Sequence, residues 1–376
     1  MKLIKVQFSG IENFTNPITI DLYAEDKITG DNDVSLVSKP IYSQNVLAFV
    51  GSNASGKTTA LNLLALAINI VVNNYGLDKI RIDAKALIKE ETIMSVLFYH
   101  DDKYYYLVST FTWKNNDLIF KDEKIATYTK SEIRYKKQIH EIEQKQNSLE
   151  RKAFVHEIQN GVIFAIKDTD SIVSAITSNV ATPYANSLKA VNSSNIEELN
   201  PDYLRFFDRG IENAFIKEDK LVVKYKWKDK ADKVKLDHIA SLLSSGTIKG
   251  SILFNQIAEV LKRGGYLIVD DIESHINKNY VQTILNIFQD HGTNEHGATL
   301  IFSTHYIELM DSINRKDPIY VTRKDKSGKC DLVKYSCVVK RNDIKKAELL
   351  LSNYIEGTSP YYEDIQSLIE SISSKN

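Results

Sequence analysis

Residues 51–58 read Gly-Ser-Asn-Ala-Ser-Gly-Lys-Thr, and they constrain the fold of this chain more than any other stretch. Ahead of them Val46 to Val50 form a short apolar run that reads as a buried parallel strand, and behind them 60–72 is apolar-rich and reads as a helix. Strand, glycine loop and helix in that order turn a pattern into a phosphate cradle. The loop's backbone N–H groups and the helix N-terminus face one anion together. Gly51, Ser52, Asn53, Ala54, Ser55, Gly56, Lys57, Thr58 and Thr59 are therefore the candidate nucleotide-binding residues. In such a loop Lys57 reaches the β- and γ-phosphates, and the Thr58 hydroxyl ligates Mg2+. The pattern alone arises by chance in about one chain of this length in a hundred. The flanking strand and helix make chance a poor account of it.

At 376 residues the chain can build one large or two modest domains with a real core. Its net charge of -1 gives no global pull towards nucleic acid, so any such binding needs a local patch. Two cysteines, Cys330 and Cys337, lack a neighbouring Cys/His pattern. That argues against a disulfide scaffold or zinc site and fits a reducing cytoplasm. The opening MKLIKVQFSGIENF lacks the long apolar region of a signal peptide. The most apolar stretch, after the glycine loop, is interrupted by Asn62 and Asn69, so a core helix is expected rather than a membrane span.

Three regions are expected: an N-terminal lobe over 1–120, a mainly helical insertion over 121–235 and a C-terminal lobe over 236–376. Ile4, Val6 and Phe8 alternate with polar residues, as do Ile18, Ile20 and Leu22, predicting two half-buried strands. Segments 92–99 and 104–112 predict a hairpin, with 118–120 extending it. Segment 130–159 is charged and free of Gly and Pro, with Tyr135, Ile139, Ile142, Leu149 and Ala153 on a heptad-like seam. It predicts a helix, either a short partner-binding arm or a solvated helix lying on the domain, and the short imperfect seam favours the second. The Ser/Asn/Ala-rich stretch 161–200 predicts helices joined by loops, and 221–227 a strand that ends the insertion.

The second half supplies more chemistry. Leu243-Ser244-Ser245-Gly246-Thr247 precedes a predicted helix over 248–262. Tyr266 to Val269 read as a buried strand ending in Asp270 and Asp271, followed by Glu273 and Ser274-His275-Ile276-Asn277. Another buried strand over 298–302 ends in Ser303-Thr304-His305. A hairpin over 319–339 and two amphipathic helices, near 344–355 and 361–372, follow. In this order the residues resemble the ABC-type ATPases over most of the chain: Walker A, insertion, signature, Walker B, D-loop and switch histidine. The resemblance implies an α/β fold with a mixed sheet, an antiparallel β subdomain and a helical insertion, like the head of an SMC protein. It implies ATP and Mg2+ as ligands and ATP hydrolysis as the activity.

Residue by residue, it implies that Thr58 and Asp270 hold Mg2+ and that His305 contacts the γ-phosphate. Asp271 stands where the family has a glutamate orienting the attacking water. It is one methylene shorter, which leaves open fast hydrolysis, help from Glu273, or a slow ATP-gated clamp. Ser244, Ser245, Gly246 and Thr247 would close over the ATP of a second copy. A serine hydroxyl and glycine N–H groups at a helix start suit a phosphate. For the family's Q-loop glutamine only Gln138 and Gln144 offer themselves.

LSSGT, DDIES and IFSTHYIELMD, with the opening KLIKVQFSGIENF, are most similar to the stand-alone AAA15/AAA21 ATPases, which are OLD-like in their core. Members commonly form one half of an anti-phage or abortive-infection pair whose effector, often a nuclease, is a second protein. The resemblance implies a cytoplasmic, ATP-dependent homodimer or higher oligomer that switches a separate effector. The alternative is a DNA-bound SMC-like ATPase in repair or chromosome maintenance, with DNA as a partner. That reading asks for long coiled coils, and 130–159 is short. The signature and the long insertion argue against a transport motor with a membrane partner. No nuclease motif stands out, and charged helix faces account for Arg341, Glu348 and Glu356.

Overall fold

Val46 to Val50 are buried because they run through the middle of a six-stranded sheet. The computed structural model describes residues 1–28, 33–80, 82–154, 166–177, 184–188, 199–274, 276–325, 327–341, 344–357 and 362–373. The sheet order is Tyr184–Leu188, Gly265–Val269, Thr299–Thr304, Val46–Gly51, Ile319–Lys324 and Cys330–Lys334. The first five strands are parallel and the last is antiparallel to its neighbour. This is the expected α/β class with a mixed sheet. The apolar runs are explained by burial on both faces, which parallel sheets require.

The period of two along each strand sorts side chains between two cores. Leu47, Phe49, Tyr266, Ile268 and Ile301 point into one, with the helix Lys57–Val71. Val46, Ala48, Val50, Leu267, Val269, Leu300 and Phe302 point into the other, with the helices Ser245–Arg263 and Lys278–Gln289. The first core also takes the inner face of a second, antiparallel sheet. Its order is Ile18–Asp21, Lys2–Ser9, Ile93–His100, Lys103–Lys114, Asp117–Thr129 and Leu149–Glu150. The helix Lys57–Val71 is thus held between two sheets. That is why its sequence is apolar nearly all round and why it is not a membrane span.

Two expectations need correcting. Segment 130–154 is not one helix; it holds a helical turn, Lys137–His140, a short strand, Leu149–Glu150, and a 3-10 turn, Arg151–Phe154. Its isoleucines serve another surface: Ile133 and Ile139 are buried with Ile4, Tyr23, Leu97 and Tyr104, covering the outer face of the antiparallel sheet. Residues 155–159 lie outside the described residues, as does most of 161–200. Within the latter, Val173–Thr177 is helical but Tyr184–Leu188 is a strand that extends the central sheet. Across 121–235 the described residues hold short helices and, between them, strands and turns. Ile211–Lys217, Lys220–Tyr225 and Asp232–Lys235 form a three-stranded antiparallel sheet. Its inner residues Ala214, Leu221 and Val223 join the second core.

Two buried ion pairs tie these parts. Arg151 Nη1 lies 2.6 Å from Glu123 Oε2, and Glu123 also accepts from the Ser171 hydroxyl and the Ile172 N–H. Lys334 Nζ lies 2.9 Å from Asp21 Oδ2 and 2.6 Å from Glu25 Oε2, joining the C-terminal hairpin to the N-terminal lobe.

Candidate functional site

Three adjacent parallel strands end side by side, and the loops after them carry the candidate residues. Register sets this: Thr304 pairs with Val50, and Val269 with Phe302. Gly51, Asp270 and His305 therefore emerge at one edge, the carboxyl end of the strands, where open α/β sheets bind ligands. Residues 51–56 make the turn into the helix Lys57–Val71 with two glycines under constraint. A Cβ on Gly51 would sit 2.1 Å from the Thr322 carbonyl oxygen. Gly56 has φ 102°, and a Cβ there would sit 2.7 Å from the Phe14 ring. No side chain among the described residues caps this helix. Ser244 and Asn277, by contrast, cap the helices that follow them, each accepting a backbone N–H. The P-loop helix thus keeps its first N–H groups for a ligand.

Lys57 Nζ donates to the carbonyl oxygens of Gly51, at 2.9 Å, and Ser52, at 3.1 Å. It also lies 3.4 Å from His305 Nδ1. An ammonium can only donate, so Nδ1 accepts and the ring proton sits on Nε2, which lies 3.5 Å from Asp271 Oδ1. Burial lowers the Lys57 pKa from its ordinary value against the pull of Asp271, Asp270 and Glu273. Thr58 Oγ1 donates to Asp270 Oδ2 at 2.8 Å. The Ser303 hydroxyl donates to Asp270 Oδ1 at 2.5 Å and accepts the Asp271 N–H at 2.7 Å, fixing the Asp270 carboxylate and the Asp271 backbone. Glu273 Oε1 accepts the His305 N–H, while Oε2 is buried without a partner among the described residues.

Asp271 has φ 47°, a left-handed backbone that aspartate and asparagine enter more readily than other side chains. The shorter acid at this position has a local reason. The donors fit Mg2+-ATP: an uncapped helix start, a lysine held by two carbonyls and a histidine nitrogen and by no carboxylate, and hard oxygens on Thr58 and Asp270.

A profile of the AAA_21 family, described as "AAA domain, putative AbiEii toxin, Type IV TA system", matches residues 46–311. The chain belongs to the AAA_21 family. The match runs from the Walker A strand past His305, so it takes in Lys57, Thr58, Asp270, Asp271, Glu273 and His305 of this AAA_21 site. No curated protein was found to match the chain. Among solved structures, an Smc head bound to the C-winged helix domain of ScpA is similar at 11% identity and a TM-score of 0.45. That match covers 89% of this chain and 97% of the other.

Not every candidate meets at the edge. Ser244, Ser245 and Gly246 are exposed at the start of the helix Ser245–Arg263, while Thr247 is buried. The Ser244 hydroxyl accepts the Thr247 N–H at 3.1 Å. No hydrogen bond joins 244–247 to the P-loop among the described residues. Gln138 accepts from the N–H groups of Arg134 and Tyr135, and Gln144 donates to the carbonyls of Tyr106 and Lys124. Both hold the antiparallel lobe together. His275 lies outside the described residues.

Three residues escaped sequence reasoning. Thr322 Oγ1 lies 2.6 Å from Ser55 Oγ, and Phe14 and Cys330 back onto Gly56. Ser303 was visible within its Ser-Thr-His run. The others come from a neighbouring strand and an N-terminal turn that carry no motif.

Proposed function

We propose that this AAA_21 chain binds and hydrolyses ATP as a dimer switch controlling a separate effector, such as a nuclease, in bacterial phage defence. The observation that carries it is the convergence of Lys57, the Thr58–Asp270 pair and the His305–Asp271 pair at one uncapped helix start. Lys57 exchanges its loop carbonyls for phosphate oxygens. Thr58 and Asp270 hold Mg2+, which, when bound, offsets charge on the β- and γ-phosphates. Asp271 accepts a proton from the attacking water, and the His305 Nε2–H donates to the γ-phosphate. The family's toxin–antitoxin description supports a role in a two-component system.

Closure by a second copy is read from the exposed signature. At Gly246 an added Cβ would meet nothing nearer than the Ser244 hydroxyl, at 3.9 Å. In one chain that glycine needs no room; it needs room only if another surface arrives. Gly246→Ala should change stability by less than about 0.5 kcal/mol and leave Mg2+-ATP affinity intact. It should remove ATP-dependent dimerisation, measured by analytical ultracentrifugation with Asp271→Ala as the background that traps the dimer. A dimer that forms unchanged in Gly246→Ala sinks the trans-acting role of 244–247. The SMC-like, DNA-organising alternative loses its arm, since 130–154 is sheet cover. No helix among the described residues is long and apolar enough to cross a membrane.

A further inference from the structure

The three-stranded sheet 211–235 has an inner face that joins a core and an outer face on which Phe215, Lys217, Lys220, Lys233 and Lys235 are exposed. Directly opposed residues share a face, so register defines the outer one. Lys217 stands opposite Lys220, and Lys220 opposite Lys235. Two residues along, Phe215 stands opposite Val222, and Val222 opposite Lys233. The inner rows are Ile216, Leu221 and Val234, then Ala214, Val223 and Asp232. The sheet's one strand-borne acid past Glu212 is therefore on the other side.

Lys217, Lys220, Lys233 and Lys235 are exposed, and no carboxylate lies within salt-bridge distance of any of them among the described residues. Phe215 is 47% exposed in the row beside them, over a buried Val222. Like charges directly opposite one another across strands are unfavourable. A row of three lysines with no acid in it is stable only as a solvated or an anion-covered surface. In a chain of net charge -1, this face gathers four lysines, with the exposed Phe215 on an outer strand and with Glu218 and Asp219 confined to the turn at one end.

We propose that the outer face of this sheet binds single-stranded nucleic acid, with phosphates on Lys217, Lys220, Lys233 and Lys235 and a base stacked on Phe215. Lysine rows recur roughly 7 Å apart along one face of a strand pair, a spacing that follows a backbone rather than a point anion. The aromatic selects a partner with flat faces, as in other sheet platforms for single strands. The surface is also close to the signature. Tyr225, on the next inner row, donates from its hydroxyl to the Leu242 carbonyl at 3.1 Å, and Leu243 begins the signature. A strand lying on the lysines would thus press on the segment that presents Ser244 and Gly246.

The test is fluorescence anisotropy of a labelled twenty-nucleotide single strand with the full chain, without nucleotide, so that the outcome does not depend on the ATPase reading. Four phosphate contacts predict a salt slope of about 3 in log Kd against log salt concentration. Lys217→Gln/Lys220→Gln/Lys235→Gln should lower that slope by about 2. The control Lys103→Gln/Lys121→Gln/Lys262→Gln, which removes three exposed lysines elsewhere, should not. Phe215→Ala should weaken the single strand about tenfold and a duplex of the same length far less. Absence of binding at low salt overturns the proposal, as does an unchanged slope in the first triple variant. Displacement by polyglutamate as effective as by unlabelled oligonucleotide also overturns it, because the surface then serves an acidic protein.

Discussion

Lys334 and Lys57 both sit among carboxylates, and they are used in opposite ways. Lys334 bonds directly to both Asp21 and Glu25, between a hairpin and the N-terminal lobe, and only Asp21 Oδ1 is left without a partner among the described residues. Burial works against its charge, but Tyr320, Asp21 and Glu25 outweigh it and hold its pKa above the ordinary lysine value. Lys57 has three acids in its neighbourhood, yet it bonds to none of them and takes two carbonyls and a histidine nitrogen instead. Burial then wins and lowers its pKa. A structural cluster is closed: its charges are mutually satisfied, and removing one strands the rest. A working cluster is left unclosed, so that a ligand can complete it. The left-handed Asp271 belongs to the second kind, whereas an unpartnered carboxylate oxygen occurs in both, at Glu273 Oε2 and at Asp21 Oδ1.

Breaking the closed cluster should have the largest effect. Lys334→Met leaves Asp21 and Glu25 without their cation and should cost about 3–5 kcal/mol in urea denaturation. Lys57→Met should change stability by under about 1 kcal/mol in the same measurement while abolishing ATP binding in a nucleotide titration. Equal losses of stability in the two variants would erase the distinction. Next comes Asp271→Asn, which keeps a side chain tolerant of the left-handed backbone and removes only the base. Turnover should fall about 100-fold to 10,000-fold with stability nearly unchanged. A rate within tenfold of wild type would move the base elsewhere, with Glu273 the nearest acid.

The smallest effect is a difference of sign with pH. Lys334, with its pKa raised on folding, contributes stability that is full below the unfolded lysine value of about 10.4 and declines above it. Lys57, with its pKa lowered, opposes folding at neutral pH, and that opposition fades as pH rises towards the same value. The stability gap between wild type and Lys334→Met should therefore narrow above about pH 10.4, while that between wild type and Lys57→Met closes below it. Parallel pH profiles for both variants would contradict the two directions.

The same contrast explains what was legible beforehand. The working cluster is built from contiguous runs at strand ends, so Gly51 to Thr59, Asp270, Asp271 and His305 announced themselves. Their mutual contacts follow from strand order, which the motif sequence implied. The closed clusters join residues far apart in sequence, such as Asp21 with Lys334 and Glu123 with Arg151, and no local pattern marks them. The misread segment 130–154 shows the other limit. Tyr135, Ile139 and Ile142, spaced by four and three residues, satisfy a helix, but here Ile139, with Ile133, serves a flat sheet, and side chains such as Gln138 bond the backbone that a helix would have used. Of the lysine-rich sheet the strand at 221–227 was legible, while Ile211–Lys217 and Asp232–Lys235 were not, since polar and charged residues dominate those two strands.

The Walker A strand divides its side chains between two cores, Leu47 and Phe49 on one side and Val46, Ala48 and Val50 on the other. Neither lobe can melt alone without stripping one face of the strand that carries the nucleotide loop. The amides of Val46–Gly51 should therefore exchange with solvent only through global unfolding, giving the slowest class of exchange in the chain. Ligand bound at the loop would then slow exchange in both lobes equally, because each reports the same cooperative opening.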